Sequence, residues 1–490
     1  MGTLQEIYRS SLGLLTDLYQ LTMACGYWRK GLAERRAVFH LFFRRHPFRG
    51  GFTVAAGLAS VVDFLEGFRF TDDDLGYLAK LKGNDGSRLF EDEFLAYLGR
   101  MRFTCHVDAM PEGTVVFPRE PLVRVEGPLA QAQLLETPLL NLVNFQTLIA
   151  TKAARVVLAA AGDPVLEFGL RRAQGIDGAL SASRAAYIGG CAGTSNVLAG
   201  RLFGIPVRGT HAHSWVMCFD GEQEAFQAYA EAMPNNCVFL VDTYDTLQGV
   251  RHAVEVGRWL RAQGHEMIGI RLDSGDLADL SIRARHVLDE AGFHRAVIIA
   301  SNDLDEEHIA ALKQQGATVA VWGVGTRLAT AYGDPALGGV YKLAALLGPD
   351  GQWRYKVKRS EQAVKATCAG VLQVRRLWEA DQAVADVIYD VLNPEPDLDM
   401  MIDPDESERP RPVPGHSRTE ELLTPVFRDG QRVGVLASLE EARRRARSQL
   451  EAFHPGVKRL AEPDRYPVGL EVAVYERTRR LLAEAAARCG

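Results

Sequence analysis

The sequence has few cysteines, and they lack the spacings that cysteine-based sites use. Its seven cysteines are an odd number, are scattered along 490 residues and form no CxxC pair. Structural zinc sites and disulfide frameworks need closely and regularly spaced cysteines. The sequence therefore predicts neither, and we expect a protein of a reducing compartment, the cytoplasm.

Long uninterrupted hydrophobic runs are also missing. The longest apolar region, 134–161, is broken by polar residues that include Lys152 and Arg155, which a lipid-exposed spanning helix does not tolerate. The first residues contain Glu6 and Arg9 and no apolar stretch behind a basic start, so a secretory leader is not predicted. We expect no membrane partner.

An excess of positive charge is absent as well. Lysine and arginine total 56 against 62 aspartates and glutamates, which gives a formal net charge of −6. This balance argues against nucleic acid as the main partner. The arginine-rich stretch 443–447 is then best interpreted as the solvated face of a helix, and a small-molecule substrate is favoured.

What the chain does have is a long alternation of short apolar runs and helical patterns. The length alone suggests about three domains. Helical periodicity in 247–260 and 305–315 separates runs that we interpret as strands. The six predicted strands are 165–169, 206–209, 237–242, 267–272, 296–301 and 318–323. Strands covered by helices predict a parallel sheet or a barrel.

The flanking regions have a different texture. Short apolar runs between turn sequences predict small antiparallel strands in 107–129, and a continuous pattern predicts helix in 131–161. Beyond residue 340, a hairpin is predicted around the GPDG turn. The proline-rich stretch 393–414 is predicted to be a loop, and Ser438 begins a capping-box sequence.

Polar and glycine residues cluster directly after the predicted strands. If the strands are parallel, these residues gather at one edge of the sheet, where such folds place their sites. The residues are Arg171, Thr210, His211, His213, Arg271, Asp273, Asn302, Gly323, Gly325 and Thr326.

Each of these residues has a functional and a structural interpretation. Gly323, Gly325 and Thr326 suit a phosphate, but tight turns also take glycine at positive φ. Asp273 suits sugar hydroxyls or phosphate-bound magnesium, whereas Asp276 suits a helix N-cap. The arginines could bind anions or form exposed ion pairs.

The histidines of GTHAHSW, His211 and His213, lie two residues apart, on the same side of an extended segment. Zinc is not favoured, because no third ligand stands at a suitable spacing. Nucleophilic or acid/base chemistry and a purely structural role both remain open.

Taken together, the ordered motifs resemble the nicotinate phosphoribosyltransferases, a family of type II phosphoribosyltransferases. The resemblance covers about residues 14–343, with ELLTPVFRDG as a C-terminal echo. The motifs are LLTDLYQLTMACGYW, EFGLRRAQGIDGALSASRAAYIGG, GTSNVLAG, GTHAHSW, LVDTYDT, RLDSGDL, ASNDLDE, WGVGTRL and GGVYKL.

The resemblance implies an α/β fold with an irregular, TIM-like α/β barrel. It implies an N-terminal α+β domain, 1–162, a barrel domain, 163–345, and C-terminal segments, 346–490, that pack on the N-terminal domain and the barrel. It also implies a homodimer whose active sites include residues of both subunits.

The resemblance further implies a role for individual residues. Tyr19 of the neighbouring subunit and Phe168 would sandwich the pyridine ring, and Ser195 would favour an acid over an amide substrate. Arg171 and Arg271 would bind anions, Thr210 would hydrogen-bond nicotinate, and Asp273 would bind ribose hydroxyls. The remaining substrate-binding residues are Asn302, Gly323, Gly325 and Thr326.

The implied reaction joins nicotinate to phosphoribosyl pyrophosphate, yielding nicotinate mononucleotide and pyrophosphate in NAD salvage. Magnesium would assist, bound through substrate phosphates with Asp273 as a candidate ligand, and ATP as co-substrate would transiently phosphorylate His213. The alternatives are a quinolinate or nicotinamide phosphoribosyltransferase, or a catalytically silent ligand-binding relative.

Overall fold

The computed structural model describes residues 12–358, 368–404 and 406–487. The chain divides into two compact units. Unit 1 comprises Met1–Thr147 and Ala336–Gly490, and unit 2 comprises Leu148–Pro335. The observed boundaries follow Thr147 and Pro335, and both precede the boundaries that we expected after residues 162 and 345.

The strands are short and are spread along the whole chain. In chain order they are β1 Arg36–Phe43, β2 Thr53–Val54, β3 His106–Ala109, β4 Val115–Val116, β5 Val123–Pro128, β6 Val165–Glu167, β7 Gly193–Thr194, β8 Val238–Leu240, β9 Gly269–Leu272, β10 Val297–Ala300, β11 Val321–Val324, β12 Gly339–Leu347, β13 Trp353–Tyr355, β14 Leu372–Glu379, β15 Gln382–Asp390, β16 Met400–Ile402, β17 Arg411–Pro412, β18 Arg418–Glu421, β19 Thr424–Arg428, β20 Gln431–Arg432 and β21 Val468–Glu471.

The helices alternate with the strands in unit 2 and are grouped in unit 1. They are α1 Leu18–Arg29, α2 Leu58–Gly67, α3 Asp72–Leu78, α4 Asp92–Arg100, α5 Leu129–Leu134, α6 Glu136–Ala160, α7 Ile176–Ile188, α8 Val197–Phe203, α9 His213–Val216, α10 Glu222–Ala232, α11 Thr246–Ala262, α12 Leu277–Glu290, α13 Glu306–Gln314, α14 Thr326–Ala329, α15 Leu439–Ala452 and α16 Val472–Ala487. Single turns of 3₁₀ helix cover Leu12–Leu14, Pro47–Arg49, Leu170–Arg172 and Pro455–Lys458.

Unit 1 is built from both ends of the chain. Its larger sheet has the order β13-β12-β1-β5-β3-β19-β20, so that early strands pair with late ones. Phe43 of β1 lies opposite Gly339 of β12, and β3 pairs with β19. The N-terminal α+β domain completed by C-terminal segments is therefore confirmed.

A second sheet of unit 1 has the order β17-β16-β21-β15-β14-β18. It corrects one prediction, since 393–414 is not simply a loop but contains β16 and β17. Met401 and Ile402 are buried and pair with β21, and such a short apolar run among prolines gives no periodic pattern. The GPDG hairpin and the Ser438 capping box are confirmed.

Unit 2 contains a six-stranded parallel sheet with the order β7-β6-β11-β10-β9-β8. Five of the six predicted strands are confirmed, four within shorter bounds and the fifth, predicted as 318–323, shifted to Val321–Val324. The α/β class is confirmed too. In the described part of the chain, however, no pairing joins the edge strands β7 and β8 into the expected closed barrel.

The predicted strand 206–209 is wrong. The sixth strand is Gly193–Thr194, and Val207 makes only an isolated bridge with Thr194. Thr194 N–H donates to the Pro206 carbonyl at 3.0 Å, and a Cβ on Gly193 would stand 2.6 Å from that oxygen. Proline lacks the N–H that a regular strand pairing needs, which limits the pairing to this short stretch.

One helix of the described residues, α6, is long and apolar enough to cross a membrane by length and composition alone. Within the most apolar stretch of this helix, 72% is the share that is buried inside the protein. Two of its buried cations, Lys152 and Arg155, contact the Glu306 carboxylate at 2.6 and 2.9 Å. Such pairing is what buried charges require, so α6 is a core helix.

Candidate active site

Arg271 organises the carboxyl ends of the parallel strands in unit 2. It lies near the end of β9, and its guanidinium makes three hydrogen bonds in three directions. Nε donates to Ser301 Oγ at 2.8 Å, Nη1 to Thr210 Oγ1 at 3.2 Å and Nη2 to Asp273 Oδ1 at 2.9 Å. The structure therefore brings together residues that follow β9 and β10, as predicted for a parallel sheet, and adds Thr210, which follows the isolated bridge at Val207 and not a strand.

Asp273 is held from a second direction by Asp242, which follows β8. Asp242 Oδ2 accepts the backbone N–H of Asp273 at 2.9 Å and the Ser274 hydroxyl at 2.5 Å. The Asp242 side chain is only 1% exposed, and its Oδ1 is buried without a hydrogen-bond partner among the described residues. A buried carboxylate oxygen in this position is poised for a ligand.

His213 lies beside both carboxylates. Its Nε2 is 4.0 Å from Asp242 Oδ1 and 3.8 Å from Asp273 Oδ2, while Nδ1 is 3.1 Å from Thr243 Oγ1. Its side chain is 38% exposed. The Thr243 hydroxyl thus fixes Nδ1. Nε2 faces the two carboxylates, and the partly exposed ring leaves it accessible to a ligand.

His211 differs sharply from its neighbour. It is buried, and its Nε2 accepts the backbone N–H of Leu240 at 3.2 Å. Burial lowers the pKa of His211, and nearby Arg271 and His213 lower it further. We conclude that the two histidines have separate roles, with His211 a neutral structural group.

Phe168 and two glycines form the adjacent part of the site. The Phe168 ring lies 5.6 Å from the Arg271 guanidinium. A Cβ on Gly323 would stand 2.8 Å from the ring, and one on Gly325 would stand 3.0 Å from the Phe168 carbonyl oxygen. Neither glycine has positive φ. Close packing against the Phe168 ring accounts for Gly323, and the Phe168 carbonyl oxygen leaves little room for a side chain at Gly325.

Buried Glu167 fixes the end of β6. Its Oε1 accepts the backbone N–H of Gly169, and its Oε2 accepts the hydroxyls of Ser183 and Thr194 at 2.8 and 2.6 Å. The Glu167 carbonyl accepts the N–H of Ser195 at 2.9 Å. Glu167 therefore sets the position of both Phe168 and Ser195.

Glu167 and Asp242 are parts of the site that the sequence did not predict. Asp242 is the last residue of the predicted strand 237–242. Polar residues at the ends of parallel strands gather at one edge of the sheet, and this expectation, which selected Asp273, also applies to Asp242. Glu167 offered no comparable pattern, because a carboxylate inside a short apolar run looks like an interruption and not like an anchor.

The other predicted residues lie outside this hydrogen-bonded cluster. Arg171 is exposed in a 3₁₀ turn, and Asn302 is exposed at φ 106°. Thr326 begins α14, directly after Gly325. Tyr19 belongs to unit 1, where it is 48% exposed on α1. Burial and nearby Glu136 raise its pKa.

No group of three or more His, Cys, Asp or Glu side chains in the described ranges is arranged to hold a metal. Asp242 and Asp273 supply two neighbouring carboxylates, one with an unpartnered oxygen. Magnesium commonly uses one or two carboxylates together with water and substrate phosphates. The residues present therefore fit a magnesium ion that arrives with a phosphorylated substrate.

Comparison with known proteins identifies the family. Residues 14–144 match the nicotinate phosphoribosyltransferase N-terminal domain, 164–347 the nicotinate phosphoribosyltransferase family and 373–478 the nicotinate phosphoribosyltransferase C-terminal domain. The chain belongs to the nicotinate phosphoribosyltransferase family.

Relatives in this family extend over nearly the whole chain. The nicotinate phosphoribosyltransferase of Bacillus subtilis is 44% identical over 471 residues, covering 94% of this chain and 93% of the relative. The human nicotinate phosphoribosyltransferase is 38% identical over 515 residues, covering 93% and 94%.

Solved structures agree. The crystal structure of human nicotinic acid phosphoribosyltransferase matches with a TM-score of 0.83 at 36% identity, covering 96% of this chain and 100% of that one. Nicotinate-nucleotide pyrophosphorylase from Pyrococcus furiosus matches with a TM-score of 0.71 at 23% identity, covering 92% and 97%, and shows the shared fold.

Proposed function

We propose that the chain is an ATP-coupled nicotinate phosphoribosyltransferase. It joins nicotinate to phosphoribosyl pyrophosphate and releases nicotinate mononucleotide and pyrophosphate. The observation that carries this proposal is the cluster of His213, Asp242, Asp273 and Arg271 at one sheet edge, in a chain of this family. The cluster combines a histidine nucleophile, two carboxylates and a cation within a few ångströms.

In the transfer step, the pyridine nitrogen attacks C1 of the ribose while the C1–O bond to pyrophosphate breaks, and the bonding electrons leave with pyrophosphate. Asp273 binds ribose hydroxyls, and its negative charge stabilises the cationic character that develops at C1. Arg271 fixes Asp273 and supplies positive charge to an anionic group of a substrate. Asp242 and Asp273 would hold magnesium together with the substrate phosphates, and the ion would supply positive charge that stabilises the pyrophosphate leaving group.

The pyridine ring is positioned from two sides. Phe168 supplies one aromatic face, and Tyr19 of a second copy supplies the other in a homodimer with shared sites. Thr210 and Ser195 hydrogen-bond the nicotinate carboxylate, and Arg171 contributes charge. The backbone of Gly323 and Gly325 binds the 5′-phosphate, together with Thr326 at the start of α14 and Asn302.

ATP acts through His213. With Nδ1–H donating to Thr243, the Nε2 lone pair attacks the γ-phosphorus, the bond to ADP breaks, and ADP leaves with the electron pair. The resulting phosphohistidine is an imidazolium, whose positive charge Asp242 and Asp273 stabilise. Its hydrolysis to inorganic phosphate drives product release.

The deciding experiment incubates the full chain with magnesium, phosphoribosyl pyrophosphate and either nicotinate, nicotinamide or quinolinate, with and without ATP. Mononucleotide and pyrophosphate are measured. We expect products from nicotinate, at a higher rate with ATP. Absence of product from nicotinate, or a preference for either of the other acceptors, refutes the proposal, and Asp273→Ala serves as the inactive control.

A further inference from the structure

Side-chain contacts connect the ends of four adjacent parallel strands in unit 2, β8, β9, β10 and β11. Asp242 connects the end of β8 to that of β9, and Arg271 of β9 donates to Ser301, directly after β10. The third connection joins the segments after β10 and β11, and it is the ion pair between Asp305 and Arg327. The proposed reaction gives a role to the first two connections and none to the third.

The ion pair between Asp305 and Arg327 is short and largely shielded from water. Arg327 Nη1 donates to Asp305 Oδ2 at 2.6 Å, and the side chains of Arg327 and Asp305 are 24% and 5% exposed. The Arg327 guanidinium also lies over the Tyr332 ring, 4.5 Å from its centre. Exposed ion pairs contribute little to stability, whereas a shielded and hydrogen-bonded pair is costly to break. The Arg327 side chain is therefore held from two sides.

Asp305 belongs to a well-anchored part of unit 2. It is the N-cap of α13, where its Oδ1 accepts the backbone N–H of His308 at 3.0 Å. The next residue, Glu306, is buried and paired with two cations of α6. Burial raises the pKa of Asp305, but hydrogen bonds from His308 and Arg327 outweigh burial and lower the pKa to about 2. Asp305 is therefore a fixed and fully charged partner for Arg327 at neutral pH.

The segment that carries Arg327 has little regular structure of its own. α14 has only four residues, Thr326–Ala329, and its N-cap, Gly325, has no side chain with which to cap it. A single helical turn is not stable in isolation, because its few hydrogen bonds do not offset the loss of backbone freedom. The position of this turn therefore depends on contacts with its surroundings, and Arg327 supplies one to α13.

The segment after β10 is held by the same ion pair. Asn302 has a φ of 106°, a conformation that costs free energy in residues other than glycine and persists where neighbouring contacts hold it. On one side of Asn302, Ser301 accepts from Arg271 Nε at 2.8 Å, and on the other side Asp305 accepts from Arg327. Asn302 thus lies between two anchored residues.

We propose that Asp305 and Arg327 are positioning residues for the 5′-phosphate of phosphoribosyl pyrophosphate. This inference rests on the proposed function, which places the 5′-phosphate between the segments that carry Asn302 and Thr326. The ion pair fixes the distance between these two segments. Arg327 acts through Asp305 and not as a ligand of the phosphate, because its guanidinium already donates to a carboxylate. Displacement of a binding group by about 1 Å is enough to weaken its contacts strongly.

Equilibrium binding in the absence of nicotinate, and so without turnover, tests the pair. Phosphoribosyl pyrophosphate with magnesium is titrated calorimetrically into the full chain. Inorganic pyrophosphate with magnesium, which lacks the 5′-phosphate, is titrated in parallel. We expect Arg327→Ala and Asp305→Asn each to weaken binding of phosphoribosyl pyrophosphate about tenfold and to change binding of pyrophosphate by less than about twofold.

The variants are chosen to spare the surrounding structure. In Asp305→Asn, the amide oxygen still caps α13, while the amide nitrogen turns a donor toward Arg327 and breaks the pair. Arg283→Ala is the matched control, because it removes an arginine that is paired with Asp279 on the exposed face of α12. This control should bind both probes as the natural chain does.

The double variant shows whether the two residues act together. If Arg327 acts only through Asp305, Arg327→Ala combined with Asp305→Asn should bind no more weakly than either single variant. Arg327→Lys, which keeps the charge, should recover most of the affinity. Weak binding by Arg327→Ala together with natural affinity in Asp305→Asn would make Arg327 a direct ligand and overturn the proposal. An equal loss of affinity for pyrophosphate would indicate general damage to the site and would overturn it too.

Kinetics separate this inference from the proposed reaction. In both single variants the KM for phosphoribosyl pyrophosphate should rise about tenfold, while the KM for nicotinate stays within about twofold. If the natural chain does not convert nicotinate, the proposed function fails, and the binding differences still decide the role of the pair. Unchanged affinity in both single variants overturns that role even where turnover is normal.

Discussion

Asp242 accepts the backbone N–H of Asp273 at 2.9 Å, and this bond connects the ends of two adjacent parallel strands. The Asp242 carboxylate after β8 thereby fixes the position of Asp273, whose carboxylate follows β9. His213 lies within 4.0 Å of both. Asp242 is therefore the residue whose removal should disturb the whole cluster without touching the fold of either unit.

The Asp242→Asn variant tests this. An amide oxygen can take the place of Oδ2 and keep the bonds from Asp273 N–H and the Ser274 hydroxyl, but the amide removes the negative charge beside His213 and puts a donor in place of Oδ1, which has no partner among the described residues. We expect kcat to fall about 100-fold or more, equivalent to roughly 3 kcal/mol, with little change in the unfolding midpoint. Asp279→Asn, on the exposed face of α12, is the matched control. Equal activity of the two variants would contradict the assignment.

His213 should carry phosphate transiently. After incubation with ATP labelled at the γ-phosphate, we expect label that is lost in acid and retained in base, as phosphoramidates are. His213→Ala should abolish the label, and His286→Ala, an exposed histidine on α12, should retain it. Undiminished label on His213→Ala would show that another residue is phosphorylated.

Ser195 should contribute to the preference for an acid over an amide. Ser195→Asp places a carboxylate where the proposal puts the carboxylate of nicotinate, and like charges repel. We expect the KM for nicotinate to rise at least tenfold, whereas Ser195→Ala, which only removes a hydroxyl, should raise it severalfold. The ratio of kcat/KM for nicotinate and nicotinamide is the measurement, and an unchanged ratio in Ser195→Asp would disprove the role.

Tyr19 should act in the site of a second subunit. Tyr19→Ala and His213→Ala should each be nearly inactive, while their mixture should regain roughly a quarter of full activity after subunit exchange, because half the dimers are hybrids with one intact site. A mixture of His213→Ala and Asp273→Ala should stay inactive, since both lesions lie in unit 2. Lack of recovery in the first mixture, despite demonstrated exchange, would argue against shared sites.

Acid should destabilise unit 1 through His40. Burial, reinforced by nearby Arg124, lowers its pKa to about 3, and His40 Nε2 accepts the N–H of Leu372 at 3.2 Å. The unfolded chain binds a proton below about pH 6.5 and the folded chain does not, so stability falls as the pH drops from 6.5 toward 3. Urea midpoints measured across this range should fall less steeply in His40→Gln. If the urea midpoint changes with pH equally steeply in His40→Gln and in the control His286→Gln, whose histidine is exposed, the assignment of the acid sensitivity to His40 is contradicted.

Much of unit 2 could be predicted because its information is local. Strands such as β9 and β10 are short apolar runs followed by polar residues, and parallel order brings those residues to one edge. This placed Arg271 and Asp273 correctly at one edge. Thr210 and His213 lie beside them, although the strand predicted before them is absent. The N-cap role of Asp276 was also predicted and is confirmed by its bonds to Ala278 and Asp279 N–H.

The failures concern features that only tertiary contacts create. β7 consists of Gly193 and Thr194, and nothing in two small residues indicates a strand until the edge of β6 is present. The β16 and β17 pair depends on β21, far away in the sequence.

The pairing of β1 with β12 has a consequence for synthesis of the chain. β1 leaves the ribosome long before β12, so its edge stays unpaired while the whole of unit 2 is translated. Exposed apolar strands invite pairing with the wrong partner, and contacts between distant segments form slowly. Unit 2 is contiguous and can form its sheet first. The nascent chain should therefore depend on chaperones until its last third has emerged.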